Sequence, residues 1–417
     1  MASLYTPGAA VSPDELADLE EILEEELPAY LEDLAGLVNV DCGSYTKAGV
    51  DQVGRWTARF LERIGATVEI RPDETLGDTV IGTFDGQPGG PRALLIGHLD
   101  TVFPEGTVRA RPLRIEAGIA HGPGVTDMKG GLLTGLYALL ALRALGTDED
   151  EDEVADLPFE RLVFVANPDE EIGSPSSTPH IRELALEADA CFVLECARAN
   201  GDIVSARKGT VDLRLTVHGR AAHAGVEPEK GRSAILEAAH EAIAIHALNG
   251  RWPGVTANVG VIHGGIRPNV VAEETALEVD LRATTREELE AAEAAVRGIA
   301  AATTVPDVRV TIEETGRHWP MERLERSGRL VEHAVAIADR LGFPLADCAT
   351  GGASDANTTA GLGIPTLDGL GPIGGSDHSP AEYLEVDSIV PRTTLFAGLL
   401  LAVARDPLVA SWRPHRA

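Results

Sequence analysis

Ala93-Leu94-Leu95-Ile96-Gly97-His98-Leu99-Asp100 is the stretch on which the fold turns. Its first residues carry no polar side chain and show no one-sided alternation. A strand of this kind must be covered on both faces, as central strands of parallel sheets are. The run then ends in a histidine and an aspartate. Ligand sites of open α/β sheets form beyond the carboxyl ends of their strands, so this strand brings an imidazole and a carboxylate to a functional edge.

Two further apolar runs, at 162–166 and 191–194, end in the same manner. One leads into Asn167-Pro168-Asp169-Glu170-Glu171, the other into Glu195. Helical spacing fills the intervals. Ser12-Pro13-Asp14-Glu15 starts a helix with a capping serine, a proline at the first position and an acid three residues on. Leu16, Leu19, Leu23, Leu27, Leu31 and Leu34 continue it, with a break expected at Pro28. A second helix carries Val50, Val53, Trp56, Phe60 and Ile64 and closes at Gly65, and a third spans about 129–145. Strands alternating with helices predict an α/β layer on a mainly parallel sheet.

Beyond about residue 208 the pattern changes. Val211, Leu213, Leu215 and Val217 alternate strictly, as in a strand with one buried face. A helix, two strands, a second helix and a last strand follow, giving the β-α-β-β-α-β order of a ferredoxin-like α+β domain. The expected organisation is a catalytic domain of residues 1–207 and 320–417 interrupted by an inserted domain of 208–319. A chain of 417 residues is long enough for two such cores.

Composition narrows the function. A net charge of −31 argues against nucleic acid and anionic membranes as partners, since phosphate binding needs basic patches. The longest apolar stretch, 132–145, is interrupted by Gly135 and Arg143 and is shorter than a bilayer needs. No basic start with an apolar core precedes the first helix, so a cytoplasmic location is expected. The four cysteines, Cys42, Cys191, Cys196 and Cys348, form no CxxC pair and read as reduced thiols. The acidic run 148–153 reads as a solvated loop.

Each strand-end residue alone is a weak signal; their order is a strong one. Gly97-His98-Leu99-Asp100-Thr101-Val102, the glycine-rich segment 122–131, Asp169-Glu170-Glu171-Ile172-Gly173, Leu194-Glu195, Ala221-Ala222-His223-Ala224-Gly225, Gly352-Ala353-Ser354-Asp355 and Ser376-Asp377-His378-Ser379 together resemble the zinc-dependent aminoacylase and glutamate carboxypeptidase family of peptidases. That family includes succinyl-diaminopimelate desuccinylases and allantoate amidohydrolases. The resemblance spans about residues 31–405.

The resemblance implies a phosphorylase/hydrolase-like catalytic domain with an inserted lid and dimerisation domain. It implies two divalent metal ions, zinc first and cobalt or manganese as substitutes. His98 and Glu195 would hold one ion, Glu171 and His378 the other, and Asp127 would bridge them, followed by a cis peptide bond. Two such metals about 3.5–4 Å apart share a water, lower its pKa and polarise a carbonyl. Glu170 would act as general base, and Asp100 would orient His98. His223 would stabilise the oxyanion, often across a dimer interface. Asn269, Arg317 and Ser354 would contact a small peptide or an N-acyl amino acid. The implied activity is removal of a C-terminal residue. N-acyl-amino-acid deacylation is the alternative, and a non-catalytic binding relative is the reading of a different class.

Other schemes fail on the sequence. Gly369-Leu370-Gly371-Pro372-Ile373-Gly374 matches GxGxxG, but Pro372 lies inside it and no helix pattern follows. HExxH and GxSxG are both missing.

Overall fold

The computed structural model describes residues 6–145 and 156–412, so the acidic run 148–153 lies outside the described residues. The chain divides into two compact units. The first comprises residues 1–205, 323–349 and 354–417, the second residues 206–322 and 350–353.

The first unit is built on a six-stranded mixed sheet. Its strands are β1 (Thr67–Arg71), β2 (Thr79–Asp85), β3 (Arg92–His98), β4 (Arg161–Asn167), β5 (Ala190–Val193) and the short Thr366–Leu367. The order across the sheet is β1-β2-β4-β3-β5 followed by Thr366–Leu367. β3 pairs in parallel with both β4 and β5, while β1 and β2 form an antiparallel margin. Register decides where the chemistry falls. His98 pairs with Asn167, and Ile96 with Val193, so the three strands end level and hand over His98, the 168–171 segment and Glu195 at one edge.

The central strands are buried at nearly every residue, on both faces of the sheet, as their apolar runs require. Pro13–Val38 begins with the full capping box of Ser12 and Glu15. It does not break at Pro28 and runs unbroken for 26 residues. Pro28 is exposed, as is Glu24 one turn earlier, so the carbonyl that loses its N–H partner meets water. Gly131–Leu145 and Ile389–Ala404 are buried nearly all round and pack against Pro13–Val38. By length and apolar character the segments 125–145 and 386–404 could each cross a membrane, which the reading of 132–145 alone did not anticipate for 386–404. Both are mostly buried in the core of the first unit, a sufficient reason for their composition.

The second unit is a four-stranded antiparallel sheet of β6 (Gly209–His218), β7 (Thr256–Gly264), β8 (Glu274–Ala283) and β9 (Arg309–His318). The order is β7-β8-β6-β9. Helices Ala234–His246 and Arg286–Ala301 pack on its inner face against Val211, Leu213, Leu215 and Val217. Segment 350–353 belongs to this unit because Arg207 and Arg282 donate to the carbonyls of Gly352 and Gly351 at 3.1 and 3.0 Å.

Candidate metal centre

His98 closes β3 and is 1% exposed. Its Nε2 lies 3.1 Å from Asp127 Oδ1 and 3.8 Å from Glu195 Oε1. The other Asp127 oxygen, Oδ2, lies 3.0 Å from His378 Nε2, which is also 3.0 Å from Glu171 Oε2. One carboxylate therefore faces two imidazoles, and each imidazole has a further carboxylate beside it. The ligand atoms of His98, Asp127 and Glu171 lie within 4.8 Å of one another, as do those of His98, Glu170 and Glu195.

The loop that carries Asp127 has its own support. Gly124 takes a φ of +72°, in the left-handed region that glycine tolerates. The Asp127–Met128 peptide bond is cis. At Gly131 the carbonyl of Leu194 packs where a Cβ would stand, so only glycine lets helix Gly131–Leu145 approach the strand end. The loop amides then converge on one buried carboxylate. Glu382 accepts from the N–H groups of Gly124, Thr126 and Asp127 at 2.8, 3.0 and 3.1 Å.

Asp100 joins the two strand ends. Its carboxylate is 3.3 Å from His98 Nδ1 and accepts the backbone N–H groups of Glu170 and Glu171, each at 3.2 Å. Ser44 donates to it at 2.6 Å. Behind the Glu170–Glu171 turn, Asp355 accepts from Ser174 and Asn167, and Asp169 from Ser176 and Ser177.

The electrostatics are those of a cation site. Burial disfavours charge on His98, but Asp100, Asp127 and Glu195 outweigh it and hold its pKa well above the imidazole range. Hydrogen bonds to Asp127 and Glu171 push His378 up to about 11. Asp127 is lowered, because the two imidazoles prevail over burial. Burial raises Glu170, with Glu195 adding repulsion, and it raises Glu171 as well. Burial also lifts Asp355 to about 6 and Glu382 to about 7. Two imidazoles and a surplus of carboxylates form a mixed nitrogen and oxygen donor set, the chemistry that holds zinc and admits cobalt or manganese.

The remaining expected residues lie elsewhere. His223 and Asn269 are both exposed on the second unit and are brought side by side: His223 bridges to Val270, and Ala224 N–H donates to the Asn269 carbonyl. Arg317 is engaged within the second unit. Its Nε and Nη2 are bonded to Glu314 and Glu293 at 2.6–2.9 Å, and its guanidinium lies 4.8 Å from the Trp319 ring. With two acids around one cation, this surrounding does not favour a substrate carboxylate. Ser354 is likewise engaged by the fold. It is buried, caps helix Asp355–Gly361 and donates to Asp368 at 2.7 Å, so its hydroxyl is taken up by the fold.

Glu382, Ser44 and the positioning role of Asp355 escaped the sequence reading. Asp355 stood inside a recognised motif. Glu382 is an acid four residues after His378, and its only sequence signal was that proximity.

Comparison with known proteins identifies the family. The model of peptidase family M20/M25/M40 matches residues 94–402. Carboxypeptidase G2 of Pseudomonas sp. (strain RS-16) is 28% identical over 406 residues, covering 96% of this chain and 95% of that protein. Acetylornithine deacetylase of Photorhabdus laumondii is 28% identical over 279 residues, covering 62% of this chain and 68% of that protein. Among solved structures, aminopeptidase PepT of Bacillus cereus superposes with a TM-score of 0.74 at 24% identity, covering 91% of this chain and 99% of that one, a likeness of fold.

Proposed function

The chain belongs to peptidase family M20/M25/M40, a family of metallohydrolases acting on C–N bonds, and we propose that it is a two-zinc carboxypeptidase of the glutamate carboxypeptidase type. The observation that carries this reading is the placement of Asp127, with one oxygen toward His98 and the other toward His378. His98 and Glu195 would hold one ion, Glu171 and His378 the second, and Asp127 both. Ions held there supply an activated water and a polarised carbonyl.

The chain's own residues do the rest. Glu170, beside the cluster and raised by burial, accepts the proton of the attacking water. It passes that proton to the leaving nitrogen as the C–N bond breaks, leaving a carboxylic acid and a free amino acid. Asp100 keeps His98 and the Glu170–Glu171 turn in place. His223 donates to the developing oxyanion and Asn269 contacts the substrate; their exposure and adjacency support these roles.

The second unit also supports assembly as a homodimer. β7 is an edge strand, and Val261 and Ile262 on it are exposed, as are Leu236 and Ile243 on the neighbouring helix Ala234–His246. An apolar, unpaired edge of this kind favours a second copy. Four free cysteines fit a cytoplasmic setting.

The similarity to acetylornithine deacetylase favours a second reading, N-acyl-amino-acid deacylation. Assaying the zinc-loaded protein against dipeptides and N-acylated amino acids, with products identified by mass spectrometry, separates the two. Turnover confined to short N-acyl groups would replace the carboxypeptidase reading; no turnover of either class would sink both.

A further inference from the structure

We propose that Glu382 is the positioning residue that sets the bridging carboxylate Asp127, by clamping the backbone of its loop from the turn that carries His378. This inference rests on the reading of Asp127 and His378 as metal ligands.

Three peptide N–H groups of one irregular loop point at a single carboxylate. Gly124 donates to Oε2, and Thr126 and Asp127 donate to Oε1, all at 2.8–3.1 Å. Converging backbone amides of this kind form a concave anion seat. Here the anion is a side chain of the protein itself, more than 250 residues away in sequence. Glu382 is 1% exposed, so bulk water does little to weaken these charge-assisted bonds. Without its carboxylate, these three donors would lack their acceptor.

The other end of the clamp is equally defined. The turn 376–382 is tied by Ser379, whose hydroxyl donates to the Ser376 carbonyl and accepts from Ala381 N–H. Glu382 N–H donates to the Ser379 carbonyl, and the His121 ring contacts the Glu382 carbonyl at 3.1 Å. His378 sits in this turn with a φ of +60°. A shift of Glu382 therefore moves the Asp127 loop relative to His378, and these two groups must share an ion. An apolar side chain could fill the same volume. It could not fix the direction in which the Asp127 peptide presents its carboxylate.

Glu382→Gln keeps the shape but replaces one acceptor oxygen with an NH2 group facing N–H donors. Glu382→Asp keeps the charge but withdraws it by one methylene. Metal-free wild type and both variants are titrated with Co2+ and Zn2+ against a chromophoric chelator, with circular dichroism and the metal-free Tm recorded alongside. The expected result is two equivalents bound by wild type and a 10–100-fold weaker second site in the variants, with spectra close to wild type and a metal-free Tm that is lowered but still marks a folded protein. The kcat at subsaturating metal should fall while KM holds. If wild type binds two ions and the folded variants bind them equally well, this inference fails and the two-metal reading stands. If neither variant folds without metal while wild type does, Glu382 serves the fold and the inference is overturned. Fewer than two equivalents in wild type would overturn the two-metal reading itself.

Discussion

Asp100 lies 3.3 Å from the Nδ1 of His98, and the same carboxylate accepts the backbone N–H groups of Glu170 and Glu171. One buried residue thus holds an imidazole at the end of β3, through its carboxylate and its own backbone carbonyl at 3.1 Å, and a pair of carboxylates at the end of β4. Orienting His98 through its second ring nitrogen leaves Nε2 to face the cluster.

Asp100→Asn should weaken both functions together. The amide keeps one acceptor oxygen but turns an NH2 group toward N–H donors. We expect a 10–100-fold loss of metal affinity, measured by competition with a chelator. Unchanged affinity would show that His98 and the Glu170–Glu171 turn hold themselves.

Glu170→Gln separates chemistry from metal binding. Because Glu170 is the proton carrier in this account, kcat should fall by about 10²–10⁴ with bound metal unchanged. Loss of a metal equivalent in this variant would make Glu170 a ligand.

Arg317→Ala should leave KM for substrates with a free carboxylate unchanged, because its guanidinium is already held by Glu293 and Glu314. Removing it takes a partner from Glu314 and a ring contact from Trp319, while Glu293 keeps Arg297, so stability should fall by about 1 kcal/mol. A marked rise in KM would return Arg317 to the substrate site.

Glu241 gives a pH dependence away from the metal centre. It is 1% exposed, neither oxygen has a hydrogen-bond partner among the described residues, and burial with repulsion from Glu237 raises its pKa from 4.5 to about 7. The folded state therefore holds this proton more tightly than the unfolded state. Its stabilising contribution is complete below about pH 4.5 and is lost as the pH rises through about 7. The loss is on the order of 3 kcal/mol. Glu241→Gln should raise Tm relative to wild type at pH 8 but not at pH 4.5. A gap independent of pH would exclude this titration.

The parts of the site that lie on regular structure were legible in the sequence. Apolar strands ending in His98, Glu171 and Glu195 announce a sheet edge, because strand period and burial are local properties. Asp127 and His378 sit in irregular loops, where no periodicity marks them, and only the resemblance of their motifs pointed to them. Glu382 and Ser44 act through contacts to loop amides and to Asp100 far along the chain, which leave no local signature. The structural partners of Ser354 and Arg317 were hidden for the same reason: a cap on Asp355–Gly361 and a partner on helix Arg286–Ala301 leave no local signature. Pro28 was misread because local propensity takes no account of which helix face meets water.

Metal removal tests the central claim most directly. The purified protein is stripped with a chelator, assayed on a panel of dipeptides and N-acyl amino acids, and then titrated with Zn2+. The account predicts no hydrolysis by the stripped protein and recovery that reaches its plateau at two equivalents per chain. Hydrolysis that survives complete metal removal, or that is restored in full by a single equivalent, would contradict it.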